Sequence, residues 1–374
     1  MPIRIIASFV FYQCFVACQL APESAQPLAE ASIGTPTITA FEGAGLSVIN
    51  CHILTGGDCE QAPESPAMLA TNVVYKSVDG GQTWQDVSIG LPEDLGPEDV
   101  FTGNGEVFLG TQNGMYRSNA TSTKWAAAPF LNGRITDVFA GSAGLYACSY
   151  GLGVFLNIPD TDIWNSLSKT LPDRSVRSVL ETSNGAIVVS TDSGIFKSSD
   201  GGQSWKQVYD KGMVLDIAQS GRVLIGGSYQ GVLRSDDGGG HWVSVLDENI
   251  LVKKAGVIGN RFVSIFGTWD PTKINPQGIT NRLRTSSDGG QTWQRMEQAP
   301  LPVQGMYDMD PDLSQMRDIY DIIQVGEQLF CSFDAGIYRS SDQGKTWDLV
   351  LASLGGYTLA VSGNVIYAVK SGGC

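Results

Sequence analysis

Between Val176 and Tyr209 the chain alternates short apolar-rich runs with polar, glycine-bearing turns, and the run lengths are those of strands. Val176–Thr182 is followed by a Ser183-Asn184-Gly185 turn, then by Ala186–Thr191, Gly194–Ser198 and, after a second turn, Trp205–Tyr209. Runs of this kind, bounded by Gly, Asn, Asp and Ser, predict four antiparallel strands. The same grammar recurs in Met213–Gln219, Arg222–Gly227 and Gly231–Ser235, and in Ile319–Val325, Gln328–Phe333 and Gly336–Ser340.

The turn before each fourth strand carries one motif in five close copies: Ser77-Val78-Asp79-Gly80-Gly81-Gln82-Thr83-Trp84, Ser198–Trp205, Ser235–Trp242, Ser286–Trp293 and Ser340–Trp347. Its Ser and Asp side chains can accept hydrogen bonds from backbone N–H groups while its glycines permit positive φ, which closes a tight hairpin. The Trp is expected to open the next strand and pack inward. Burying an indole fully removes ~150–250 Å² from water, worth up to ~4–6 kcal/mol. Asp79, Asp200, Asp237, Asp288 and Asp342, with Trp84, Trp205, Trp242, Trp293 and Trp347, therefore read as structural.

Trp125 and Trp164 mark two worn copies, around Ser118–Trp125 and Asn157–Trp164. Seven tryptophans, 37 to 54 residues apart, count seven repeats, and Trp269 falls outside the ladder. Only two strands follow Trp347, Tyr357–Ser362 and Asn364–Val369, while Asn72–Ser77 precedes the first turn as a lone third strand. Pairing these halves predicts an all-β fold, a seven-bladed β-propeller of four-stranded antiparallel blades. Its ring is closed by C-terminal strands that complete the first blade, which removes exposed sheet edges. Eight blades would need chain beyond Cys374.

Composition agrees: 45 Gly, 8 Trp and only 17% charged residues in 374 favour turns over long solvated helices. The net charge of −14, with no basic cluster, argues against a nucleic-acid partner. Arg4 precedes a mostly apolar run, Ile5–Ala17, too short to span a bilayer comfortably, so 1–17 reads as a signal peptide. Phe15-Val16-Ala17-Cys18 looks like a lipobox, with Phe15 departing from the usual Leu. Cys18 would then be lipidated, the one route by which this chain would meet a membrane; ordinary cleavage after Ala31 is the other path. Residues 18–36 read as a flexible tether and 37–374 as the propeller. Both routes place the protein outside the cytoplasm, secreted, periplasmic or lipid-anchored.

Seven cysteines lack paired CxxC spacing, so no zinc site is expected; Cys51 and Cys59 either bridge or remain thiols. Of the two histidines, His52 has no partner in view and His241 occupies the Thr slot of its turn. Asp308, Asp310 and Asp312 would suit a calcium loop, yet Leu313 stands where Gly is required and no Glu follows at the EF-hand distance. Neither a metal nor a cofactor is predicted.

The motif resembles the Asp-box (BNR) repeat of sialidases and of many other propellers, and the repeats cover residues 73–374. A sialidase resemblance implies three arginines on the substrate carboxylate, a Tyr/Glu nucleophile pair and an Asp acid/base on a six-bladed ring, with an Arg-Ile-Pro motif near its start. The chain has no such motif; Arg134-Ile135-Thr136 is the nearest and begins a repeat strand. Arg117, Arg234 and Arg339, with Lys76 and Lys197 as equivalents, recur just before the turns and read as solvated strand positions. The chain also resembles seven-bladed photosystem II assembly factor-like propellers, which implies a binding scaffold.

Strand parity locates the expected binding surface. The repeated turns join third to fourth strands, so they share one face, and second-to-third and fourth-to-first connections share the other. The insertions Thr268–Thr280 and Glu297–Asp318 are of the latter two kinds, and Cys51–Ala70 would join them if Leu46–Leu54 adds to the first blade. They carry Trp269, Asp270, Lys273, Tyr307, Asp308, Asp310 and Arg317, the candidate contacts for a protein or glycan ligand. The function read here is a non-catalytic interaction scaffold; the alternative is a carbohydrate-active hydrolase with two carboxylates in the central cleft. Export is checked by the intact mass of the native protein, which is expected to lack Met1–Ala17 or a longer leader; a chain retaining Met1 would refute it.

Overall fold

The computed structural model describes residues 72–371, apart from Asp94, Ala120, Thr123, 129–130, Asp160, 248–250, 268–282, 297–318 and Leu354. These residues belong to the unit spanning Ser65–Cys374. Its strands, β1 to β28 in chain order, form seven four-stranded antiparallel sheets, the blades of a seven-bladed β-propeller. Blade 4 follows the predicted grammar closely, with strands at Val176–Glu181, Ile187–Thr191, Gly194–Ser198 and Lys206–Tyr209. The first blade is the shared one. The C-terminal strands β27 (Tyr357–Ser362) and β28 (Val365–Lys370) supply its inner half, and β1 (Val74–Ser77) pairs β28 from Val74↔Val369 to Ser77↔Ile366. The strand β2 (Gln85–Asp86) completes its rim.

Every second strand is buried along nearly its whole length, as in Ile187–Thr191 and Gln328–Phe333. Such a strand is covered on both faces by adjacent blades, which is why it reads as a continuous apolar run. The core is accordingly a set of seams between blades. Leu180, Val188 and Ile195 of blade 4 pack on Val214, Leu224 and Leu233 of blade 5. Phe330 and Ile337 of blade 7 pack on Tyr357, Leu359 and Ile366 of blade 1.

The repeated turns have the local geometry their residues predict. Ser77 Oγ donates to Asp79 Oδ1 at 2.9 Å and accepts Gly81 N–H at 2.9 Å. Asp79 Oδ1 also accepts the N–H groups of Gln82 and Thr83, at 2.9 and 3.0 Å. Gly81, with φ of 77°, carries a second constraint: a Cβ there would lie 2.4 Å from the Phe330 ring of blade 7. The turn is thus a docking surface for the preceding blade as well as a hairpin. His241 does fill the Thr slot, its Nδ1 lying 2.6 Å from Asp237 Oδ2. The worn turns close by other bonds, with Asn119 Oδ1 accepting the N–H groups of Thr121 and Ser122.

Two expectations need correction. The cations before the turns are not simply solvated: Lys197 Nζ donates to Gly238 O at 2.7 Å, Arg234 Nε to Gly289 O at 2.7 Å and Arg339 Nη1 to Gly80 O at 3.2 Å. Each acceptor is the turn of the next blade, and Arg117 reaches the next blade through Asp162 at 3.0 Å. Lys76 is partnered as well. The tryptophans, for their part, are mostly half-buried, because the fourth strand forms the rim; only Trp125 at 5% and Trp242 at 9% exposure are buried. Trp205→Ala is therefore expected to cost only ~2 kcal/mol, against ~3–5 for Trp242→Ala, in urea-unfolding midpoints; equal losses would contradict the burial difference.

Candidate functional site

The innermost strands of the seven blades are β3 (Pro97–Gly103), β7 (Ile135–Ala140), β11 (Val176–Glu181), β15 (Val214–Ser220), β19 (Val252–Ile258), β23 (Ile319–Val325) and β27. Six of them open with a register irregularity, after which the third residue is Asp99, Asp137, Ser178, Asp216, Lys254 or Asp321. Thr358 holds the corresponding place in β27, one residue before Leu359. Seven polar side chains therefore stand at one level of the central channel.

Three of the carboxylates tie their blade to the next. Asp137 Oδ2 accepts Val179 N–H at 2.8 Å, Asp216 Oδ2 accepts Ala255 N–H at 3.0 Å and Asp321 Oδ2 accepts Leu359 N–H at 2.9 Å. Lys254 Nζ lies 2.6 Å from Asp321 and 3.8 Å from Asp99 of blade 2, reaching toward the far side of the ring. Burial opposes its charge, but Asp321 and Asp99 more than offset that, and its pKa is raised.

Lys254 also lowers the proton affinity of Asp216 in the adjacent blade 5, but burial outweighs it. Burial and then the charge of Asp216 push Asp137 up to about 7, and burial pushes Asp216 up to about 6. Ser178 stands between them, and a cavity of about 470 Å³ opens beside them toward the repeated-turn face, lined also by Phe139, Glu181 and Ser183. Glu181 is engaged across the seam to blade 3, accepting Ser142 N–H at 2.9 Å and the Tyr146 hydroxyl at 3.1 Å. Among the described residues no three of His, Cys, Asp and Glu form a metal-ligand set. Cys148 and Cys331 are buried, and burial lifts both thiols well above their usual range, which makes them poor nucleophiles.

The candidates chosen from sequence are not among these residues. Trp269, Asp270, Lys273, Tyr307, Asp308, Asp310 and Arg317 fall outside the described residues, as do Cys18, Cys51, Cys59 and the Leu46–Leu54 strand. The strands framing the two insertions do follow the expected order, second to third in blade 6 and fourth to first between blades 6 and 7. The ring itself was missed. Its signal is an Asp between apolar residues at a fixed place in four repeats: Asp99-Val100, Asp137-Val138, Asp216-Ile217 and Asp321-Ile322, each two residues after Pro97, Ile135, Val214 or Ile319.

No family model matches the chain. An alignment of 149 positions, covering 37% of the chain and 15% of the enzyme, shows 30% identity to the xyloglucanase Xgh74A of Acetivibrio thermocellus. Among solved structures, the propeller resembles YCF48 bound to a D1 peptide (TM-score 0.52, 14% identity, covering 75% of this chain and 94% of that one). It also resembles an ancestral GH74 enzyme (0.52, 16%, 76% and 40%) and the extracellular domain of a hybrid two-component system of B. thetaiotaomicron (0.54, 13%, 74% and 39%). At these identities the likeness is one of fold.

The ring and the turns titrate with opposite consequences. An unfolded Asp ionises near 4, whereas folded Asp137 holds its proton to about 7, so the fold binds more protons in between and stability falls as pH rises through that window. Hydrogen bonds hold Asp79, Asp200 and Asp342 down at about 2, so their contribution is present above about 4 and is lost as pH falls through about 2. Asp137→Asn retains an acceptor for Val179, and its melting temperature is expected to drop less than that of the native protein between about pH 5 and 8. An unaltered pH profile would mean that Asp137 is already ionised at neutral pH.

Proposed function

We propose that this chain is a non-catalytic binding propeller that engages a protein ligand on the face opposite the repeated turns. The observation that carries this reading is the use made of the channel carboxylates. Asp137, Asp216 and Asp321 hold the first strand of the following blade, and Lys254 occupies the space between Asp321 and Asp99. A hydrolytic pair needs one carboxyl free to reach a glycosidic oxygen and another free to reach the anomeric carbon or a water. In this ring, moving either group breaks a contact between blades.

The face opposite the turns offers what the channel does not. Both long insertions leave from and return to strands that end on that face, and long loops on a rigid scaffold are where binding residues concentrate. Trp269, Tyr307 and Arg317 supply the kinds of side chain that dominate protein interfaces.

The hydrolase reading has one observation of its own in favour: the stretch similar to xyloglucanase, together with two carboxyls of raised proton affinity in one cavity. Incubation with xyloglucan and a fluorogenic glycoside panel separates the two. No hydrolysis above a heat-denatured control is expected; turnover abolished by both Asp137→Asn and Asp216→Asn would replace the binding reading with the enzymatic one.

A further inference from the structure

On the face opposite the repeated turns, three arginines surround one turn of blade 3. The turn pins two of them through the backbone: Tyr150 N–H donates to Arg134 O at 2.8 Å, and Gly151 N–H to Arg174 O at 2.9 Å. The third, Arg177, stands second in β11. Its guanidinium carbon lies 5.2 Å from the centre of the Tyr150 ring, and that of Arg134 lies 5.9 Å away. Tyr150 is fixed in turn, its hydroxyl donating to Asp192 Oδ2 at 2.6 Å.

The carboxylates nearby orient these guanidiniums without consuming them. Arg177 Nε donates to Asp192 Oδ1, and Arg134 Nη2 to Glu98 Oε2 at 2.9 Å. Asp173, beside Arg174, is occupied with the Ser193 hydroxyl and with Ser175 N–H. Among the described residues, both Nη groups of Arg177, Nε and Nη1 of Arg134 and the whole Arg174 guanidinium are left without partners. Arg134 is half exposed, its side chain showing 48% of its surface.

We infer that Arg134, Arg174 and Arg177 form a binding site for the carboxylates of an acidic peptide segment. This deepens the binding-propeller reading and rests on it. Planar guanidinium forks match carboxylates in bidentate fashion, and two forks already ordered against an aromatic ring lose little entropy on binding. The surroundings select a peptide over a dense polyanion. Glu98, Asp173 and Asp192 stand among the three arginines, within a chain of net charge −14, so closely spaced phosphates would meet repulsion that separated side-chain carboxylates avoid.

The test uses the full chain and a fluorescein-labelled, end-capped hexaglutamate peptide, read by anisotropy, with hexaglutamine as the neutral counterpart and oligogalacturonate as an acidic sugar. Hexaglutamate is expected to bind at least about tenfold more tightly than hexaglutamine at about 50 mM salt, with the margin shrinking at about 300 mM. Arg174→Gln, which breaks no contact, is expected to weaken binding by about threefold or more at an unchanged melting temperature. The triple change Arg134→Gln, Arg174→Gln and Arg177→Gln should abolish it, and Arg222→Gln, on the repeated-turn face, should not alter it. Equal binding of the two peptides, or no effect of Arg174→Gln, would overturn the proposal, as would tighter binding of oligogalacturonate, which would assign the site to acidic sugars. Such a failure is distinct from failure of the binding-propeller reading, which turns on glycoside hydrolysis and on the channel carboxylates alone.

Discussion

A four-stranded sheet with two apolar faces cannot shield itself from water, and the organisation of this protein follows from that constraint. Each blade is completed by its neighbours, and the completion occurs at three distances from the axis. At the channel, carboxylates of one blade accept backbone N–H groups of the next. Midway, the second strands bury aliphatic side chains in the seams. Toward the rim, Lys197, Arg234 and Arg339 donate to the glycine carbonyl of the following turn. Trp205 and Trp125 donate from their indoles back to Leu167 and Val87 of the preceding blade, at 2.9 and 2.8 Å. Polar contacts at both ends of the seam give direction to packing that apolar burial alone leaves unspecific.

What the sequence made legible was local. A turn whose Ser and Asp bond to N–H groups within four residues leaves its whole signature in eight letters, and counting tryptophans then numbers the blades. Ring closure also followed, because two strands at one end and a lone third strand at the other are complementary in number. Contacts whose partner lies one repeat away were harder to read. Arg234 looks like an exposed cation until Gly289, more than fifty residues on, is known to face it. The ring carboxylates were equally visible as letters, yet an Asp in an otherwise apolar strand has no meaning until the inner strands are gathered about an axis. The indoles were over-read for a related reason: the motif shows that Trp follows the turn, but only the radial position of the fourth strand shows how much of it reaches water.

The channel illustrates how one chemical resource can serve two ends. Four aspartates at one level form a strongly acidic centre, and among the described residues Lys254 is the cation that compensates it, most directly at Asp321 and Asp99. Asp137 and Asp216, where burial outweighs that charge, answer by holding protons, which limits repulsion within the ring. Cationic side chains able to recognise an acidic partner gather instead at Tyr150, where two of the three are already oriented. Structural carboxylates and available guanidiniums thus lie along the same two stretches of chain, Arg134 to Asp137 and Arg174 to Glu181, a few residues apart.

The shared first blade has a consequence for how the chain is made. Synthesis proceeds from the N-terminus, and domains begin to fold in that order, but β1 pairs with β28, nearly three hundred residues later. β1 and β2 pair with each other early, but among the described strands they are the last to gain their inner partner, and every other blade can form before that. A long unpaired edge waiting through that interval would invite pairing with a neighbouring chain. Here the waiting edge is short, the four residues of β1, so it exposes little backbone while the ring remains open.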